Sequence, residues 1–237
     1  RGRARAAGPG AGGARPRGGA AAGAEAGAGE GEADVEVEVV WGGAGPPAGW
    51  GPGEAAALAA DVEEDLGRAA PLACARAGLP PLPAGGFREL AVVLCGDGYI
   101  RELNKEWRGK DAPTDVLSFP QGAPLPGCPV QPLGDLVVSV ETAARQAGLA
   151  PGPPRGPDAM AVLRAELRLL ATHGVCHLLG HDHEGALAEA GRMAVEEDAL
   201  LEALGWAGEG MVSKAGLRAE AGGGGEEPAE EQGGPAV

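Results

Sequence analysis

His173-Gly174-Val175-Cys176-His177-Leu178-Leu179-Gly180-His181-Asp182-His183 holds all four histidines of the 237-residue chain. His173 and His177 are four residues apart, so on a helix they stand one turn above the other on one face. That placement lets two imidazoles reach a single metal ion. Gly180 suits a left-handed helix end, which would swing His183 back over the same face as a third ligand. Three neutral imidazoles and one open position describe a catalytic zinc site, in which bound water becomes acidic near neutral pH. Packing alone gives little reason to gather histidines at His-x3-His-x5-His around a glycine.

Outward from this stretch, Met160, Leu163, Leu167, Leu170, Gly174 and Leu178 recur at spacings of three and four. They predict a long buried helix that Asp158 can cap, a rigid platform for two ligands. Cys176 would lie about 100° round the helix from His177 and reads as packing. A last helix is expected over 184–205, with Met193, Leu200, Leu201 and Leu204 inward. Upstream, Val35, Val37 and Val39 alternate with Glu36 and Glu38, the pattern of a half-buried strand. A helix over 54–78 with Leu58, Val62, Leu66 and Ala69 inward is expected to break or kink at Pro71. Phe87 to Cys95 reads as a second strand, Val116 to Phe119 as a short one cut off by Pro120, and 133–140 as a fourth. A short helix is expected over 141–148. Asp97 can cap the helix that carries the apolar stripe Ile100, Leu103 and Trp107. Arg101, Lys105, Arg108 and Lys110 form the compact basic stretch of the folded part. Most such runs are solvated faces; here, ahead of a Pro-Thr-Asp entry into a strand, phosphate contact is the favoured reading.

The net charge of −15 argues against a general nucleic-acid-binding coat, so any RNA contact must be local. The four cysteines show no Cys-x-x-Cys spacing and read as free thiols of a reducing compartment. No apolar run approaches the ~18 residues of a membrane span. With 44 glycines and 21 prolines, more than a quarter of the chain favours irregular structure. Residues 1–33 are expected to be disordered and, being Arg- and Ala-rich before the first acid at Glu25, to act as an organelle transit peptide. A plastid is the expected location, with a mitochondrion or a bacterial-type cytoplasm as alternatives. Residues 206–237, rich in Gly and Glu, are expected to be a disordered tail.

The histidine spacing overlaps the protease pattern His-Glu-x-x-His-x-x-Gly-x-x-His. Gly174 stands where that pattern needs its glutamate base, so a protease would have to find a base elsewhere. Instead the stretch resembles the YbeY family signature, His-Gly-x-x-His-Leu-x-Gly-(Tyr or His)-Asp-His, at every fixed position. A second run of that family, Asn-x-x-x-Arg-x-x-Asp-x-x-Thr-(Asp or Asn)-Val-Leu-Ser-Phe, is matched by Asn104, Arg108, Asp111, Thr114, Asp115, Val116, Leu117, Ser118 and Phe119. Leu133-Gly134-Asp135-Leu136 resembles the family's Gly-Asp strand.

The resemblance covers residues 34–205 and implies an α/β fold, a mixed, mostly parallel sheet of about four strands surrounded by about five helices. It implies a single-strand-specific, zinc-dependent endoribonuclease acting in ribosomal RNA processing and ribosome quality control. One Zn2+ would be held by His173, His177 and His183, with His173 and Arg108 in catalytic roles. The partners implied are single-stranded and ribosomal RNA, with ribosomal small-subunit or assembly proteins beside them. Asp182 or Asp135 would steady a ligand or take a proton; Asp135 could equally cap a turn. Two rivals stay open. A metal-dependent amide hydrolase would need a carboxylate base at the metal. A non-catalytic ribosome-assembly factor would close a structural zinc with Cys176 or His181 as fourth ligand.

Overall fold

A computed structural model describes residues 35–121, 127–183 and 187–216. Four strands form one sheet: β1 (Val35–Trp41), β2 (Phe87–Cys95), β3 (Val116–Pro120) and β4 (Val130–Ser139), in the order β1-β2-β4-β3. β1 runs parallel to β2 and β2 parallel to β4, while β3 closes the far edge antiparallel to β4. The sheet is thus mixed and mostly parallel, as expected. β1 sits at an edge, half-buried on its valine face, with Glu36 and Glu38 in solvent.

Alternation along the inner strands splits their side chains between two layers. Leu90, Val92 and Leu94 of β2, Val116 of β3, and Leu136 and Val138 of β4 face one core. Against that face pack α1 (Pro52–Arg76), α4 (Pro157–Leu178) and α5 (Leu187–Leu204), through Leu58, Leu66, Leu163, Leu167, Leu170, Met193 and Leu200 among others. Each fully buried leucine contributes about 2 kcal/mol by its removal from water. Val137, Leu117 and Cys95 point the other way and meet Ile100 and Leu103 of α2 (Asp97–Arg108). α3 (Val140–Gln146) continues directly from β4, its first turn capped by the Ser139 hydroxyl, which accepts from Thr142 N at 3.2 Å.

Several expectations are corrected. Pro71 lies inside α1, which runs on unbroken to Arg76. The proline frees the carbonyl of Gly67, which is exposed and can be hydrated, and the buried face continues past it through Ala73 and Cys74. Neither Asp97 nor Asp158 is an N-cap: Gly96 and Gly156 hold those positions. Pro157 takes the first position of α4, where its missing N–H costs nothing. The Asp97 carboxylate instead accepts from Ser139 Oγ, Thr142 Oγ1 and Arg145 Nη1 at 2.6, 2.7 and 2.6 Å. Burial alone would raise this carboxyl, but those hydrogen bonds hold it below its ordinary value.

A sixth helix is present, α6 (Met211–Lys214), beyond the expected end of the domain. Trp206 and Met211 pack against the core, and Val212 is buried within it. The expected tail is therefore part of the fold as far as residue 216; its remainder and residues 1–33 lie outside the described residues. All four cysteines are unpaired, and Cys74, Cys95 and Cys176 are buried.

Two glycines set how closely α4 approaches the sheet. A Cβ on Gly134, where the β2–β4 register shifts and φ is 139°, would collide with the Phe119 carbonyl and meet a Leu178 methyl at 2.9 Å. A Cβ on Gly174 would lie 2.7 Å from a methyl of fully buried Leu136. α4 therefore lies hard against β3 and β4, which brings its last turn to the rim of the sheet.

Candidate metal centre and cleft

α4 ends at Leu178, and the chain reverses through a hydrogen-bonded C-terminal motif. Gly180 N donates to His177 O and His181 N to Cys176 O, both at 3.0 Å, while Gly180 takes φ 91°. This is the two-bond helix end that glycine favours, and it is why three residues later the chain can face α4 again. The rings of His173, His177 and His183 lie with centroids 4.6, 5.0 and 5.1 Å apart. One nitrogen from each lies within 4.8 Å of the other two. Tetrahedral zinc with bonds of about 2.1 Å needs ligand atoms roughly 3.4 Å apart, so small ring rotations complete the set.

The electrostatics fit a cation. His173 is 6% exposed and donates from Nδ1 to Glu197 Oε1 at 2.6 Å. With the proton on Nδ1, the Nε2 lone pair faces inward, 3.1 Å from His177 Nε2. At that distance one ring can donate an N–H to the other, or both lone pairs can meet a bound cation. Burial first, then His173 and His183, push His177 down to about 4. Its imidazole is therefore neutral and able to ligate across the physiological range.

Glu197 on α5 was missed in the sequence. Its side chain is 1% exposed and also accepts from Val212 N at 2.9 Å. The available signal was a glutamate inside the apolar stripe of the last helix, between Met193 and Leu200. Such an acid is buried only when donors await it.

These histidines open into a cleft of about 770 Å³. Arg108, Thr114, Asp115, Ser118 and Phe119 line it on one side, His181 and Asp182 near the histidines, and Met211 and Val212 of α6 on another. The structure thus brings Arg108 and Asp182 to the three histidines. Asp135 does not line the cleft; it lies within β4 opposite Phe119 and accepts from Gln121 Nε2 at 3.5 Å. Arg101 and Lys105 are also outside the cleft, both bonded to Asp111 at 2.6 and 2.9 Å, and Lys110 does not line it either. Cys176 and His181 are not in the ligand cluster found among the described residues. Burial pushes the Cys176 thiol well up, which makes it a packing residue. The tight space at Gly174 explains the departure from the protease pattern: a glutamate there would have to enter the Leu136–Ser118 contact.

Trp107 also corrects an expectation. Placed on the apolar stripe of α2, it is 65% exposed and lines the cleft. Ile100 and Leu103 reach the core against β4, but the last turn of α2 runs beyond it.

Fold and site together define an α/β protein with a three-histidine, metal-capable centre at the floor of an open cleft. The family model described as Endoribonuclease YbeY matches residues 79–205, more than half of the chain, and the chain belongs to that family. Over 133 residues it is 49% identical to the chloroplastic Endoribonuclease YBEY of Arabidopsis thaliana, covering 55% of this chain and 21% of that protein. An Anaeromyxobacter Endoribonuclease YbeY is 47% identical over 120 residues, covering 51% of this chain and 56% of its own length. The Paramagnetospirillum magneticum protein of the same name is 40% identical over 150 residues, covering 61% of this chain and 82% of its own. The chain thus spans between about a fifth and three fifths of the first two relatives. No helix among the described residues is long and apolar enough to cross a membrane.

Proposed function

We propose that the protein is a zinc-dependent endoribonuclease that cuts single-stranded RNA in ribosomal RNA maturation and ribosome quality control. The observation that carries this reading is the convergence of three imidazole nitrogens beside Arg108 in one cleft. Family membership supports the same reaction class. An all-nitrogen set of imidazoles suits zinc better than magnesium, which prefers oxygen. A zinc ion held by His173, His177 and His183 would supply Lewis acidity at the scissile phosphodiester. Glu197 keeps the Nδ1 proton on His173 and so aims its Nε2 lone pair at the centre. Arg108 grips the scissile phosphate through its planar guanidinium and balances charge that grows during cleavage. Asp182, which lines the same cleft, steadies a ligand or accepts the nucleophile's proton. Lys110, Arg101 and Lys105 are at most peripheral phosphate contacts, the latter two being engaged by Asp111. Ribosomal small-subunit or assembly proteins are the partner class that goes with this role. Similarity to a chloroplastic relative supports a plastid.

The test pairs metal content with cleavage of a single-stranded RNA. Chelation should abolish cutting and one equivalent of zinc restore it. Arg108→Ala should still bind RNA yet cut it about 10²–10³-fold more slowly, the loss typical of one transition-state contact. Metal-free protein that cuts as fast as the zinc-loaded form would overturn the reading.

A further inference from the structure

The last turn of α2 ends on two neighbours, Trp107 and Arg108, that line the same cleft as the three histidines. Leaving an indole in water forgoes one of the largest apolar burials available to a side chain. Trp41, Trp50 and Trp206 are each partly buried; Trp107, at 65% exposure, is not. It is also held in place. Phe119 of β3 meets it edge-on, with ring centroids 5.8 Å apart and an interplanar angle of 70°. The cleft therefore presents a flat, oriented aromatic surface one residue from the phosphate-gripping guanidinium.

Charge sharpens the point. The chain carries a net −15, and Arg101 and Lys105 beside this surface are already bonded to Asp111. Attraction for the sugar-phosphate backbone is thin, so binding has to draw on the bases. A base inside a duplex has both faces covered by its stacking neighbours, whereas an unpaired base can lay one face on an aromatic ring.

We propose that Trp107 is a stacking platform for one unpaired nucleobase beside the scissile phosphate, and that it is how this cleft selects single-stranded over paired RNA. Phe119 acts as its brace. The inference rests on the nuclease reading above and names the feature that reading leaves unassigned.

The zinc-loaded full chain is titrated with a short oligouridylate while tryptophan fluorescence is followed, then with the same oligomer annealed to oligoadenylate. The unpaired oligomer should quench the emission and the duplex should not; Trp107→Phe should remove the quench. In cleavage assays, Trp107→Ala should raise KM roughly tenfold with a smaller change in kcat, as expected for one lost base–aromatic stack. Trp107→Phe, which keeps a ring, should stay within about threefold of the parent. The preference for unpaired RNA should shrink in Trp107→Ala. Few phosphate contacts also predict a shallow dependence of log Kd on log salt, with a slope of about −1. Because the side chain is exposed, both variants should melt at the parent temperature. A Trp107→Ala protein with parental KM and parental strand preference overturns the platform and leaves the nuclease reading standing. Equal losses in the Ala and Phe variants overturn it in favour of a contact through the indole N–H. If the parent protein neither binds nor cuts the oligomer, both inferences fall.

Discussion

Glu197 is a carboxylate with almost no access to water, and its position is tolerable because His173 Nδ1 and Val212 N both donate to it. It governs which nitrogen of His173 is available, so its effect should appear in metal affinity. Glu197→Gln is expected to weaken zinc binding by about 10- to 100-fold, measured by competition with a chromogenic chelator. An unchanged affinity would mean that packing alone orients His173. At this scale the convergence of His173, His177 and His183 was legible in the sequence, because spacing on a helix and a glycine at its end are local facts. Glu197 was less so, since its partner lies 24 residues away and only the fold brings the two together. Trp107 was misread for a related reason: helical periodicity gives the face of a residue but not where along the helix its covering layer stops.

Between elements, a buried polar tie holds α1 to α4. Asp65, buried on α1, accepts from Arg164 and Arg168 of α4 at 2.7–2.9 Å, and Arg164 also reaches Asp61 at 2.7 Å. Burial by itself would raise the Asp65 carboxyl; the two guanidinium groups outweigh it and hold it below 3.8. A carboxyl whose folded value lies below its unfolded one stabilises the fold fully above 3.8 and loses that contribution as pH falls through the folded value. Asp65→Asn should therefore be less stable at neutral pH by about 2–3 kcal/mol, discounted from a fully buried pair because both arginines are partly exposed. Urea unfolding followed from neutrality down through the folded value should show a constant gap between parent and variant above 3.8 that closes only below it. Parallel curves would remove Asp65 as the cause. Strand alternation and helix periodicity made most elements readable, since each buries one face. Pro71 was misjudged because local chemistry argues for a break, while the continuous buried face of α1 holds the helix through it.

For the molecule as a whole, the segment after residue 205 closes both the core and the cleft. Gly210 N and Ser213 Oγ bond to Asp198 at 2.8 Å each, Trp206 lies under Arg168 at 5.0 Å, and Val212 supplies one of the donors to Glu197. Truncation after Gly205 should lower the melting temperature by roughly 5–10 °C, from two or three lost apolar burials in a domain of this size, as read by calorimetry. It should also loosen zinc, because Glu197 then keeps a single protein donor. A truncated protein that melts with the full chain would show that α6 merely rests on the surface. This segment was illegible beforehand: Met211-Val212 is a short apolar pair in Gly- and Glu-rich surroundings, and composition outvoted it.

Gly180 ties these scales together. Two of the three nitrogens ride on one rigid rod, and the third is delivered from beyond a bend that passes through the left-handed backbone of a residue without a side chain. In the proposed zinc centre the bite is therefore set in part by backbone conformation, separately from the identity of the ligands. Exchanging Gly180 for a bulkier residue would change how fast the ion comes and goes while every donor atom stayed chemically the same.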